Sequence, residues 1–235
     1  MRAFVLAGGR GSRLHPFTTV IPKPLVPVGE MPILEILLRQ LKGQGFDRVT
    51  ISVGYLSSLI ESYCGDGSRW GLSVDYVRED EPLGTAGALS LLTDLDEDRV
   101  LVTNGDILTD LDLGVVTRDH DVAEGATICA NQRTVSIDFG VLYKDDEGCL
   151  AAYDEKPTLA YEVSMGVNVL SAWTLERYVE AGVRLDMPDL MRRLVADGHA
   201  VRIRSTDAYW LDMGRMADLE TATEVFTADP ARFLP

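Results

Sequence analysis

Residues 1–29 read MRAFVLAGGRGSRLHPFTTVIPKPLVPVG, and this stretch decides the fold. A short apolar run, Ala3 to Leu6, leads directly into Gly8, Gly9, Gly11, Ser12 and Arg13, and Ile21-Pro22-Lys23-Pro24 follows. A strand that ends in a glycine-rich loop is built to handle phosphate. Glycine lets backbone N–H groups close on phosphate oxygens without a Cβ in the way, and oriented amides favour an anion there. Arg13 adds a planar fork of donors, and Lys23 adds a point charge between two conformationally fixed prolines. Two well-known glycine motifs fit poorly. No Gly-Lys-Ser/Thr closes the loop as a P-loop requires. The dinucleotide fingerprint would need glycine at position 14, which is Leu, and an acidic residue ending a second strand, whereas Glu30 precedes a helix.

Outward from this loop the pattern alternates. Strands are expected over residues 2–6, 49–53, 74–77 and 100–102. Ile33, Leu34, Leu37, Leu38 and Leu41 recur at helical spacing up to a break at Gly43 and Gly45, and further helices are expected over 56–63 and 85–92, with a turn over 65–71. This β-α-β-α-β order implies an α/β fold, a mainly parallel central sheet flanked by helices, with ligands at the carboxyl ends of the strands. The glycine loop and Asp106, after Thr103-Asn104-Gly105, both sit at such ends. The second half changes character. Strands over 126–130, 140–143, 150–153 and 163–170 have shorter connections, Asp145-Asp146-Glu147-Gly148 reads as a hairpin turn, and helices are expected over 174–179, 188–196 and 216–227. With no linker or repeat in sight, the expectation is a single domain over 1–235. Residues 1–125 would form one half of it, and 126–235 a second half with a substrate-binding subregion.

The chain has 22 basic against 37 acidic residues, a net charge of −15, which argues against nucleic-acid or anionic-membrane partners because phosphate surfaces would repel it. Arg13 and Lys23 are then a local cationic exception. No apolar run is long enough to span a bilayer, and the N-terminus lacks signal-peptide features, so a cytoplasmic protein is expected. Cys64, Cys129 and Cys149 are scattered and read as idle thiols, and His15, His120 and His199 have no metal-ligand spacing.

GGRGSRLHPFT followed by PKPLVPV resembles the opening of the sugar-1-phosphate nucleotidylyltransferases, whose pattern is GGxGxRLxPxT and then PKPxxPV. The resemblance implies a Rossmann-like nucleotidyltransferase fold with a small sugar-binding β subregion. No hexapeptide β-helix repeat, the added domain of several longer members, is found in the 235 residues. The resemblance implies nucleotide contacts from Leu6, Ala7, Gly8, Gly9, Gly11, Ser12 and Arg13, and from Asn104 and Gly105 at a later strand end. Glu81-Pro82-Leu83-Gly84-Thr85-Ala86 resembles the E-x-x-G-T-A loop that lines nucleobase and ribose, which adds Glu81, Pro82, Gly84 and Thr85; the helix opening at Thr85 is expected to present free N–H groups. Asn104-Gly105-Asp106 resembles the strand-end segment whose aspartate holds Mg²⁺, and Trp210-Leu211-Asp212-Met213-Gly214 resembles W-x-D-x-G, whose aspartate completes the metal site. On the sugar side Phe139-Gly140-Val141, Glu155-Lys156-Pro157 and Asn168 resemble the Y-G-V, EKP and N-x-G-x-Y segments. Phe139 there replaces a Tyr, and Asn168 stands where Tyr is frequent.

The implied reaction joins an NTP and a sugar 1-phosphate into an NDP-sugar and pyrophosphate, with Arg13, Lys23 and Asp106 as its catalytic set and Mg²⁺ as cofactor. Two polyanions must meet, so alignment and charge neutralisation are the main tasks, and a phosphate needs no general base. Several segments, among them Leu185-Asp186-Met187-Pro188-Asp189-Leu190, resemble guanylyltransferases for mannose- or heptose-type sugars, so GTP is placed first. UTP- or dTTP-dependent enzymes, a phosphocholine cytidylyltransferase and a non-catalytic sugar-nucleotide-sensing subunit remain open. A homodimer is a family-level expectation.

Overall fold

The computed structural model describes residues 1–9, 11–79 and 81–234. In chain order the strands are β1 Arg2–Leu6, β2 Pro27–Val28, β3 Met31–Pro32, β4 Arg48–Val53, β5 Ser73–Arg78, β6 Arg99–Asn104, β7 Ile107–Thr109, β8 Ala126–Ser136, β9 Val141–Lys144, β10 Leu150–Asp154, β11 Thr158–Ser171, β12 Val201–Thr206 and β13 Trp210–Asp212. The helices are α1 Ile33–Gly43, α2 Ser57–Cys64, α3 Gly84–Gly87, α4 Leu113–Asp119, α5 Ala172–Tyr178, α6 Met187–Ala196 and α7 Met216–Ala228. No described helix is long and apolar enough to cross a membrane.

Seven strands form one sheet in the order β12-β8-β11-β6-β1-β4-β5. Every pairing is parallel except the two made by β11, which runs against both β6 and β8. The sheet is therefore mainly parallel, as the alternating pattern requires, and both halves of the chain contribute to it. Successive side chains of a strand face opposite ways. Ala3, Val5 and Leu101 accordingly join the core under α1 with Leu34, Leu37, Leu38 and Leu41. Phe4, Val100 and Val102 join the opposite core with Leu190 and Leu194 of α6. Burial on both faces explains why these central strands read as continuous apolar runs. A third cluster gathers Ile33 and Ile36 of α1, Leu108 of β7, Met213, and Ala222 and Phe226 of α7.

Some elements depart from the sequence expectation. The helix expected over 85–92 is a single α turn, Gly84–Gly87, that tightens into a 3₁₀ turn, Ala88–Leu91. α4 arises where Asp112 caps the helix, its carboxylate accepting from Val115 N at 2.7 Å. β7 and β13 are three-residue strands paired with each other, too short to show periodicity. β8 and β11 both run beyond the sheet, where residues 131–136 pair with 158–163 as a mainly exposed ribbon. Between them the β9–β10 hairpin is almost wholly exposed, with Phe139, Leu142, Leu150 and Tyr153 open to solvent.

Candidate active site

The site forms where β1, β5 and β6 end. Gly11 begins its geometry, with a φ of +59° and Thr18 Oγ1 donating to its carbonyl at 2.8 Å. A Cβ at this position would stand 3.0 Å from Lys23 Cβ and 2.9 Å from Thr18 Cγ2, so only glycine lets the loop fold back onto Lys23. Lys23 itself lies in a 3₁₀ turn, Lys23–Leu25, entered from extended Pro22. It is buried, an expensive position for an ammonium unless it is paired.

The pairing is with both aspartates singled out from the sequence. Lys23 Nζ contacts the Asp106 carboxylate directly and lies 3.5 Å from Asp212 Oδ1. Distance along the chain concealed this proximity, and the short β7–β13 ribbon creates it: Asp212 pairs with Ile107, and Met213 N donates to the Asp106 carbonyl at 3.2 Å. Burial pushes the Asp106 carboxyl above the ordinary aspartate range, and Asp212 adds to that push, while Lys23 opposes it. Arg13 is exposed, and its guanidinium borders Gly214, where a Cβ would lie 3.4 Å from Nη1. The opening motif and the Trp210–Gly214 motif therefore form one cationic and carboxylate cluster.

Beside this cluster lies a cleft of about 300 Å³, lined by Leu6, Gly8 and Gly9 from the loop, Pro82, Gly84 and Thr85 from the second motif, and Asn104 and Asp106. Ala7 and Gly105 support it from below: Ala7 N donates to Ser52 O, and Gly105 N donates to Leu6 O, each at 2.9 Å. Ser12 is exposed at the loop, and Glu81 is exposed and outside the cleft lining.

Two findings differ from the sequence reading. The N–H groups at the opening of α3 are not free. Thr85 N donates to Asp186 Oδ1 at 3.2 Å, and Ala86 N and Gly87 N donate to Leu185 O at 2.9 and 2.8 Å. The second motif is thus clamped by the 185–186 segment, and its backbone N–H groups are spent on structure. The cleft also holds a carboxylate that sequence reasoning missed, Glu79. Its Oε1 accepts from Ser52 Oγ and its Oε2 from Leu83 N, both at 2.8 Å, which fixes it one residue past β5 and close to Gly8. Its only signal in the sequence is an acidic residue just beyond an apolar strand and five positions before Gly84.

The residues expected to hold the sugar are not brought into the cleft. Glu155 and Lys156 are exposed beside the β9–β10 hairpin, Lys156 with a φ of +47°. Gly140 lies against the hydroxyl end of Tyr153, and Asn168 is buried in β11 opposite Val102 and Ile128. Among the described residues no group of three or more metal-ligating side chains occurs. Two hard carboxylate oxygen donors gathered on one ammonium still suit a divalent cation that takes its other ligands from phosphate and water.

The chain matches the nucleotidyl transferase family over residues 2–228. It belongs to that family. Among its relatives is a UTP–glucose-1-phosphate uridylyltransferase of Synechocystis, 33% identical over 93% of this chain and 61% of that protein. A mannose-1-phosphate guanylyltransferase of Mycobacterium tuberculosis is 32% identical over 92% of this chain and 62% of its own length. This nucleotidyl transferase chain therefore spans about three-fifths of the length of these curated relatives. In solved structures, HddC from Yersinia pseudotuberculosis superimposes with a TM-score of 0.72 at 26% identity, covering 96% of this chain and 99% of HddC. A second structure of HddC, complexed with GMP-PN, gives 0.73 at 25% over the same shares.

The raised Asp106 carboxyl makes a stability prediction. A carboxyl held above its unfolded value favours the native state fully at acidic pH, and that advantage is lost as pH rises through its folded value. Between acidic pH and pH 7 the wild type should therefore lose stability relative to Asp106→Asn. The comparison is of the change with pH, because Asp106→Asn at any pH also leaves the buried Lys23 with Asp212 alone at 3.5 Å. Urea titrations of both proteins at acidic and neutral pH check this, and a wild-type midpoint that rises against that of Asp106→Asn toward pH 7 would contradict it.

Proposed function

We propose that the chain transfers a nucleoside monophosphate from an NTP to a sugar 1-phosphate. The observation that carries this reading is the convergence of Lys23, Asp106 and Asp212 at the edge of the glycine-loop cleft. A phosphate oxygen of the sugar 1-phosphate attacks the α-phosphorus of the NTP. The bond from that phosphorus to the β-phosphate bridging oxygen breaks, and pyrophosphate leaves with the electron pair. The nucleophile is already anionic at neutral pH, so this chain need supply no base; it must hold two polyanions in line and offset their charge. Asp106 and Asp212 would hold Mg²⁺, which when bound supplies charge neutralisation on the phosphates. Lys23, released from the carboxylates by that cation, would turn its ammonium to the α-phosphate. Arg13 would place its fork of donors on the departing pyrophosphate. On the exposed hairpin, Lys156 and Glu155 would serve the sugar phosphate and sugar hydroxyls.

GTP is the nucleotide this reading favours, and Glu79 is the reason. A carboxylate accepts at both oxygens, and each Glu79 oxygen keeps a lone pair beyond the bond it already makes. The Watson–Crick edge of guanine offers adjacent N1–H and N2–H donors that suit such an acceptor. Uracil and thymine offer one N–H between two carbonyl oxygens, which a carboxylate repels. The HddC structure complexed with GMP-PN is consistent with a guanine nucleotide in a fold of this kind. A mannose- or heptose-type sugar completes the proposal, on the resemblance of the 185–190 segment.

Pyrophosphate release with Mg²⁺, measured for GTP, UTP, dTTP, ATP and CTP against mannose, glucose and heptose 1-phosphates and phosphocholine, tests the reading. One strong combination, with GTP, is expected. Folded protein that binds nucleotide but shows no turnover with any pair would favour a sensor. Arg13→Ala should lower turnover by about 10²-fold or more, the usual cost of one charge-stabilising donor; an unchanged rate would remove Arg13 from the mechanism. Glu79→Gln should weaken kcat/KM for GTP by about tenfold or more, as expected for losing a base-reading contact of about 1–3 kcal/mol. If the GTP preference survives Glu79→Gln, the base is read elsewhere.

A further inference from the structure

A second recess, of about 600 Å³ and larger than the glycine-loop cleft, opens between α1 and the turn that carries Trp70. Its walls include Glu35, Arg39, Lys42, Arg69, Trp70 and Leu234, and no residue lines both cavities. Three basic side chains thus face one carboxylate, in a chain whose net charge is −15.

That carboxylate is already committed. Glu35 Oε1 accepts from Arg39 Nε and Nη2 at 2.9 and 2.6 Å, and Oε2 takes the Tyr63 hydroxyl. Burial alone would raise the Glu35 carboxyl, but the hydrogen bonds from Tyr63 and Arg39 outweigh it and hold the group below its usual range. Glu35 therefore stays ionised and organises the wall, leaving it little capacity to neutralise more charge.

Arg69 and Lys42 are placed by contacts that neutralise them only in part. The Arg69 guanidinium carbon lies 3.9 Å from the Trp70 ring centroid and 4.4 Å from that of Tyr63, a stacked position that immobilises the fork. Its approach to Glu35 is a loose 3.7 Å. The Lys42 stem lies against Gly71, where a Cβ would meet Lys42 Cε at 3.2 Å. Among the described residues Lys42 forms no ion pair, and its electrostatic reach extends to Asp47, in a chain that carries 37 acidic against 22 basic residues in all. Partly neutralised cations gathered around a concave surface favour an anion there. Their excess over Glu35 matches a doubly charged anion better than a single carboxylate.

We propose that this recess is a second anion site, distinct from the glycine-loop cleft, that takes a phosphate-class anion, either inorganic phosphate or a phosphate monoester, between Lys42 and Arg69. Lys42 supplies the point charge and Arg69 the planar pair of donors. Leu234 and the edge of Trp70 give an ester's organic part an apolar wall.

Trp70 supplies the readout. Its indole N–H signal in ¹H–¹⁵N spectra, assigned by loss in Trp70→Phe, is followed during titration with inorganic phosphate and, separately, with glycerol 3-phosphate. A saturating shift of that signal is expected, retained in Arg13→Ala, which disables the phosphate loop of the other cleft. Lys42→Ala should weaken the apparent Kd by tenfold or more. Lys42 is exposed, so this variant separates lost binding from lost fold, and an unchanged spectrum elsewhere verifies it. Equal affinity for the two anions means that the bare phosphate group is recognised, and tighter binding of the ester means that its organic part is also held. A Trp70 signal that does not move or does not saturate, a shift abolished by Arg13→Ala, or one indifferent to Lys42→Ala overturns the proposal. Turnover plays no part in this readout, so the anion site and the proposed transferase activity stand or fall separately.

Discussion

One buried ammonium holds the candidate site together. Lys23 lies between Asp106 and Asp212, and without a cation there two carboxylates would face each other across a partly buried space. Much of the nearby backbone serves that contact. Gly11 takes a left-handed conformation so that the loop can pass close over Lys23, prolines flank the lysine, and the β7–β13 ribbon carries one aspartate to the other. The arrangement also sets two cations, Arg13 and Lys23, where the strands end, in a chain whose net charge is −15. A divalent cation accepted by the carboxylates would free Lys23 for phosphate, so the same three side chains can serve the resting and the substrate-bound protein.

The sheet was legible because its central strands are buried on both faces and its loops carry their own chemistry. Arg2–Leu6 announces itself by an apolar run ending in glycines, and α1 by leucines at helical spacing. Less visible were the elements whose reason lies in distant residues. β7 and β13 exist only as partners of each other, and three residues hold no period. The helical signal over 85–92 is met by one α turn and one 3₁₀ turn, and the Leu185 and Asp186 acceptors that occupy its opening N–H groups lie about a hundred residues away in sequence. Glu79 escaped notice for a similar reason: its position is set by Ser52 and Leu83, and only the folded chain shows it entering the cleft.

The two halves of the candidate site differ in how far they are built. On the proposed nucleotide side, glycine backbone, Glu79, Asn104 and Asp106 meet in one cleft held by hydrogen bonds to the sheet. On the proposed sugar side, Gly140, Glu155 and Lys156 flank a hairpin beyond the sheet, with Phe139, Leu142 and Tyr153 exposed around them. The rigid half rests on strands whose side chains are buried in two cores, and the exposed half on a two-stranded ribbon with little beneath it. Of the two positions where the sequence departs from the family pattern, Phe139 lies exposed beside the hairpin and Asn168 is buried in β11 of the main sheet.

The most direct test of the Lys23–Asp106–Asp212 arrangement is the affinity for Mn²⁺, read by electron paramagnetic resonance in the presence of GTP, for the wild type, Asp106→Asn and Asp212→Asn. A shared cation site predicts that either substitution alone weakens Mn²⁺ binding by about tenfold or more, because one or two carboxylates supply the protein's entire share of the ligands. If either variant binds Mn²⁺ as the wild type does, the two aspartates do not form one site, and the account built on Lys23 between them fails.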